Sequence, residues 1–174
     1  MLPQKTKLIG VAQLKTNPDW TIKSHSHLFH EFVILYKGKM QVTIADQTIE
    51  AGQGDVLFYP EGIVHQECID SRDPIETIYI GWEGSLHNWM SKVHDANGRM
   101  RLLAEWLYSQ EHDHSENNDQ IQIAYLRAIL AEHMRLCGQS GEDSLVRKIR
   151  AFMRDHLQQA LTLDDFAEHA CMSK

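Results

Sequence analysis

The sequence predicts an α+β protein, an all-β sandwich or barrel followed by α-helices. Three observations point there. Up to residue 84 the apolar residues come in short β-branched or aromatic runs punctuated by Gly, Pro and Asp, which is how many short strands joined by turns are written. Beyond residue 84 they recur at steps of three and four, the period of a helix face. The chain has 174 residues, enough to bury a core without disulfide or metal staples.

In chain order, strands are expected at Leu8–Leu14, Glu31–Tyr36, Met40–Ala45, Thr48–Glu50, Val56–Tyr59 and Ile75–Trp82. The third shows its face directly: Met40, Val42 and Ile44 share one side, with Gln41, Thr43 and Ala45 on the other. Asp46-Gln47 is short and polar enough for a tight connection. Residues 1–84 are expected to form one β-domain.

Residues 85–141 are expected to form a helical pair. Leu102, Leu103, Trp106 and Leu107 give the first helix its stripe, and a polar stretch from Gln110 to Asp119 separates it from the second. There Ile123, Leu126, Leu130, His133 and Cys137 step by three and four. That seam suits a dimerisation helix, and equally a helix packed on its own barrel. Gly138 to Gly141 should end it. In residues 142–174, Val146, Ile149, Met153, Leu157 and Ala160 mark a further amphipathic helix, and Thr162 is placed to cap a last short one, with Asp164 and Asp165 in its first turn.

Composition excludes some classes. A net charge of −7 argues against electrostatic DNA binding by this chain alone, since phosphate contact needs clustered Lys and Arg. No apolar window approaches a membrane span, and the N-terminus carries no secretory signal. The three cysteines, Cys68, Cys137 and Cys171, are scattered, with no CxxC pair. A cytoplasmic protein without membrane partners is therefore expected.

The chemistry is concentrated in His25-Ser26-His27-Leu28-Phe29-His30-Glu31. In a strand, His25 and His27 share a face and Glu31 has the same parity, while His30 has the opposite parity and points away. Two imidazoles and a carboxylate on one face can bind a divalent metal and leave positions open. Further on, Gly54, Pro60-Glu61-Gly62 and His65 frame a strand and a turn, after which His65 could bring a fourth ligand from across the barrel. Tyr59, Glu67 and Trp82 could also lie near the cavity, with ordinary core or surface roles as the plainer alternative. Phe32 and Tyr36 could face either way. His112-Asp113-His114 repeats the His-x-His pattern inside the polar stretch, where a solvated surface role is the plainer account.

These two stretches resemble the two motifs of the cupin superfamily. His25, His27, Glu31 and Gly38 match the first at every position; Gly54, Pro60, Gly62 and His65 match the second. Asp19 and Ile69 stand where the motifs usually have Gly and Asn, neither of which is a ligand position. The resemblance implies a jelly-roll-type cupin barrel whose metal ligands, for one divalent ion such as Zn, Ni, Mn or Fe, would be His25, His27, Glu31 and His65. The same residues would line an effector cavity.

The tail resembles a second known pattern. Leu161-Thr162-Leu163-Asp164-Asp165-Phe166-Ala167 and Ala170-Cys171-Met172-Ser173 are similar to the start of the DNA-binding region of AraC-type transcription regulators, and the order barrel, helical pair, linker helix is similar to that family's sensory half. The resemblance implies a non-enzymatic sensor without catalytic residues. A small-molecule effector enters the barrel, the chain forms a homodimer, and DNA is read only by a helix-turn-helix region expected after Lys174. Residues 142–174 would be the linker helix and first helix of that incomplete domain. The alternatives are a metal-dependent cupin enzyme, either a dioxygenase or an isomerase, and a free-standing metabolite-binding cupin.

Overall fold

The computed structural model describes residues 6–16, 20–69, 74–85, 89–111 and 117–141, together with Ile149, 152–154, His156, Thr162 and 164–166. Asp19, the His112-Asp113-His114 stretch, Val146, Leu157, Ala160, Leu161, Leu163 and 167–174 lie outside the described residues. The chain divides into two compact units, Met1–Cys137 and Gly138–Lys174.

Among the described residues of the first unit nine strands run in order: β1 (Thr6–Lys15), β2 (Thr21–His25), β3 (His30–Lys37), β4 (Lys39–Ile44), β5 (Gln47–Gly52), β6 (Asp55–Tyr59), β7 (His65–Cys68), β8 (Glu76–Gly84) and β9 (Lys92–His94). Helix α1 (Arg99–Ser109) follows, and α2 (Asn118–Gly141) continues through Gly138. The strands form two antiparallel sheets, one of five in the order β1-β8-β3-β6-β9 and one of four in the order β2-β7-β4-β5. This is a cupin-like sandwich followed by two helices, α+β overall. Among the described residues no helix is long and apolar enough to cross a membrane.

Strand parity separates two cores. Val33, Leu35, Leu57 and Tyr59 from the five-stranded sheet meet Met40, Val42 and Ile44 from the four-stranded sheet in the sandwich interior. Phe32, Ile34, Tyr36, Val56, Phe58, Ile78, Ile80 and Trp82 point out of the opposite face of the five-stranded sheet, where Met100, Ala104 and Leu107 of α1 and Leu126, Ile129 and Leu130 of α2 cover them. That sheet is buried on both faces, which explains why β3 reads as an unbroken apolar run from Phe32 to Tyr36 rather than an alternating one. The four-stranded sheet keeps Gln41 and Gln66 exposed on its outer side.

The α2 stripe packs on its own chain, one of the two readings that the sequence left open. Leu126, Leu130 and His133 have no exposed surface; they pack on their own chain, with Ile123 and Cys137 against the same cluster. His133 lies 4.8 Å from the Phe32 ring and 5.6 Å from Phe58, centroid to centroid. Phe32, Tyr36 and Trp82 likewise face the helices, not the sandwich interior.

Burial lowers the His133 pKa from 6.5 to about 4, against a hydrogen bond to the Met90 backbone that raises it. As pH falls, the unfolded chain therefore takes up this proton before the folded one. The stability that His133 contributes by staying neutral is complete above pH 6.5 and drains between 6.5 and about 4, a loss of about 3 kcal/mol. Urea unfolding of His133→Gln at about pH 7 and about pH 4 should show a smaller pH effect than the wild type by roughly that amount.

Gly38, at the β3–β4 turn, has φ +81°, and a Cβ there would lie 2.8 Å from Ile75 Cγ2 and 3.0 Å from the Pro74 carbonyl oxygen. Gly38→Ala should cost about 2 kcal/mol or more in chemical denaturation, from left-handed backbone strain with a clash added.

In the second unit, the Thr162 backbone N–H and hydroxyl both donate to Asp165 Oδ2 at 2.7 Å, and the Asp165 N–H faces Thr162 Oγ1 at 3.4 Å. This reciprocal cap starts the turn at 164–166. The Thr162 hydrogen bonds lower the Asp165 pKa. Phe152 and Phe166 meet edge to face at 5.9 Å.

Candidate metal and ligand site

Three segments bring the site together. β2 ends at His25, directly opposite His65 of β7, past an irregularity in the ladder between Ile22 and His25. Residues 26–29 then turn before β3 starts, so His27 sits in a turn and not in the strand that the His-x-His spacing implied. That turn is fixed at several points. The Gly62 N–H donates to the His27 carbonyl at 2.9 Å, and Gly62 has φ +76°, a conformation that suits glycine. The His27 ring stacks on Phe29 at 4.0 Å, and Phe29 fills the space where a Cβ on Gly81 would stand, 3.1 Å from its ring. Glu31 shares inward parity with Val33 and Leu35, opposite Tyr59 and Gly81 on the two flanking strands.

Among the described residues, His25, His27 and His65 form a group in which every ligand atom lies within 4.8 Å of the others. Glu31 flanks the group, its Oε2 3.4 Å from His27 Nε2 and 3.9 Å from His65 Nε2. All three histidines use Nδ1 in the same way. His25 Nδ1 lies 2.9 Å from the Lys23 carbonyl, His27 Nδ1 2.6 Å from that of Phe29, and His65 Nδ1 3.0 Å from that of Ile63. A carbonyl only accepts, so each Nδ1 carries the hydrogen and each neutral ring presents Nε2 as a lone pair. The Nε2 atoms of His27 and His65 are buried without a hydrogen-bond partner.

The result is a set of acceptors facing acceptors: the imidazole lone pairs of His27 and His65 against a carboxylate oxygen, with His25 beside them. Such a set is repulsive until a proton or a cation sits inside it. The proton's preference is visible at His27. Burial lowers its pKa, but the Glu31 carboxylate and the Phe29 carbonyl outweigh this and the net shift is upward. At His65 burial prevails, helped by His25 and His27, and the pKa falls. Three imidazoles and a carboxylate are a donor set that Zn, Ni, Mn and Fe all accept, and the carbonyl-tied Nδ1–H is the outer-shell arrangement typical of metal-ligating histidine. The residues present therefore fit a divalent ion.

His30 is held apart. Its Nε2 donates to the Gly84 carbonyl at 2.9 Å, its Nδ1 accepts from the Glu61 N–H at 3.0 Å, and its ring lies against Trp82 at 4.5 Å. Both nitrogens are spent, so parity correctly separates His30 from its neighbours. Trp82 belongs to the helix-facing core and does not line the site.

Behind the histidines lies a network that the sequence showed only in part. Glu67, on the inward face of β7 with His65, accepts the Tyr59 hydroxyl at Oε1 and the Tyr79 hydroxyl at Oε2, both at 2.7 Å. Burial raises the Glu67 pKa and the two hydroxyl donors oppose it. Tyr79 is the residue that sequence reasoning missed; its signal was the inward parity of Thr77 and Tyr79 along β8.

Comparison with known proteins adds the following. The chain resembles solved structures at a TM-score of 0.40: Bacillus subtilis oxalate decarboxylase, studied for its Mn(II) centres, at 22% identity over 44% of this chain and 22% of that one; salicylate 1,2-dioxygenase from Pseudaminobacter salicylatoxidans, at 17% identity over 44% and 26%; and, at the same TM-score, a Streptococcus pyogenes protein of unknown function, at 19% identity over 48% and 70%. The chain thus spans about a quarter of the length of the two enzymes. No curated protein matches it. The AraC-like ligand binding domain family matches residues 10–145, which take in the sandwich, the histidine cluster and both helices. The chain belongs to the AraC-like ligand binding domain family.

Proposed function

We propose that the chain is the effector-sensing part of an AraC-type transcription regulator, and that its barrel binds a divalent metal ion through His25, His27 and His65, with Glu31 as the fourth ligand. Membership of the ligand binding family supports the sensing role. One observation carries the metal: three rings tied back by Nδ1 to carbonyls two residues away, with ligand atoms all within 4.8 Å of one another and the Glu31 carboxylate beside His27 and His65. When bound, the ion supplies an electrophilic centre that a chelating small-molecule effector can reach from the exposed His25 side.

Proton and metal compete for the same lone pairs, so metal affinity should fall as pH drops through the raised His27 value. In the metal-free chain the His27–Glu31 contribution to stability is present below 6.5 and is lost as pH rises through that raised value. Competition titration with a chromophoric chelator across this range measures the first effect.

A homodimer belongs to the same proposal, through the outward face of α1, because the α2 seam is occupied. Leu102 and Trp106, one turn apart, are 45% and 47% exposed. Sedimentation should show dissociation in Trp106→Glu with the melting temperature kept; a wild type that is monomeric at high concentration contradicts the dimer. DNA recognition is assigned to a helix-turn-helix region following this sequence. Intact mass of the native product from its own cell tests it: a product longer than this sequence is expected, and a product ending at Lys174 contradicts it.

A further inference from the structure

We infer that Tyr59, pinned by Glu67, is a positioning residue that holds the His65 imidazole with Nε2 directed at the cluster; the inference rests on the metal-binding proposal above. His65 has no exposed side-chain surface. Besides His27 and Glu31, its ring meets the Ile63 carbonyl at Nδ1, His25 at 4.3 Å and the Tyr59 ring at 4.1 Å with 26° between planes. The Ile63 carbonyl holds the hydrogen at Nδ1 as long as the ring keeps its place. The Tyr59 face, reaching across the sandwich from β6, blocks the ring from sliding away from the cluster. Tyr59 is itself held at its far end, where its hydroxyl donates to Glu67 Oε1 at 2.7 Å.

A buried carboxyl is a costly way to join two sheets, because apolar residues of similar volume generally hold a core as well or better. Its presence here calls for a geometric role. The two tyrosines that grip Glu67 provide the comparison needed to find it. Both hydroxyls donate over 2.7 Å, both come from the five-stranded sheet, and both bridge to β7. They differ at His65, on which the Tyr59 ring stacks, and in burial, Tyr59 being buried and Tyr79 half-buried. If the network only clamped the sheets, losing either hydroxyl would have the same consequence. If it positions His65, only the loss of Tyr59's hydroxyl should reach the metal.

The experiment compares the whole chain as wild type, Tyr59→Phe and Tyr79→Phe, titrated with Co(II) and followed by its d–d absorption, with melting temperatures in parallel. Both variants keep the ring and should fold with similar small losses in melting temperature. Tyr59→Phe should weaken Co(II) binding about tenfold and alter the d–d band, with Tyr79→Phe within about twofold of wild type. Equal Co(II) affinity in the two variants overturns the inference. If the wild type takes up no Co(II), the metal proposal fails on its own. Long-range 1H–15N NMR of the metal-free chains then decides the positioning claim. A single Nδ1–H tautomer at His65 in wild type and Tyr79→Phe, with a mixture in Tyr59→Phe, supports it; identical spectra for all three overturn it.

Discussion

Leu130→Asp should abolish cooperative folding of the sandwich and helices, rather than split a folded dimer into folded monomers. Leu130 has no exposed surface and sits in the core that α2 shares with Phe32, Phe58 and Trp82. Removing the leucine costs about 2–5 kcal/mol, and a desolvated carboxylate adds several more. Together they are comparable to the whole stability of an ordinary domain, about 5–15 kcal/mol. The thermal transition seen by circular dichroism should disappear or become non-cooperative. A folded monomeric Leu130→Asp chain would instead mean that α2 meets its partner in a second copy and not in its own sheet.

The second large effect is expected at His65. With His65 Nε2 as one of the three imidazole donors of the proposed site, His65→Ala should weaken divalent metal binding by more than about 100-fold, beyond the 10–100-fold typical of losing an outer-shell partner. Stability of the metal-free chain should change far less, by about 1–3 kcal/mol. A void opens beside Tyr59, but the lone pair 3.9 Å from Glu31 Oε2 is also removed. His30→Ala is the control. Both its nitrogens are engaged by Gly84 and Glu61, so metal affinity should stay at the wild-type level. Chelator competition for affinity, with urea unfolding in excess chelator, separates the two effects.

How far the sequence could be read depended on what each pattern encodes. Alternation in Met40–Ile44 is a local property of a strand with one wet face, and it placed Met40, Val42 and Ile44 inward as observed. The run Phe32–Tyr36 is silent about direction because both faces of β3 are dry. Only the helices of the same chain, packed on the outer face, reveal that Phe32 and Tyr36 turn away from the site. The α2 stripe has the same weakness: steps of three and four show that a face is buried, and not by what. Parity placed Glu31 and excluded His30, yet His27 reaches the cluster from a turn shaped by Phe29, Gly62 and Gly81, which no strand argument contains. β9, three residues long, is too short to show a period. The Tyr79–Glu67–Tyr59 chain joins β6, β7 and β8, consecutive strands that fall in different sheets, so parity within one strand could not assemble it.

The central claim is that three imidazoles and a carboxylate in this barrel hold one divalent ion. X-ray absorption spectroscopy of the chain loaded with one equivalent of zinc tests it most directly. Imidazole multiple scattering from three histidines with an oxygen ligand is the predicted result, reduced to two histidines in His25→Ala. A spectrum with fewer than three imidazoles in the wild type, or with sulfur from a cysteine, would contradict it.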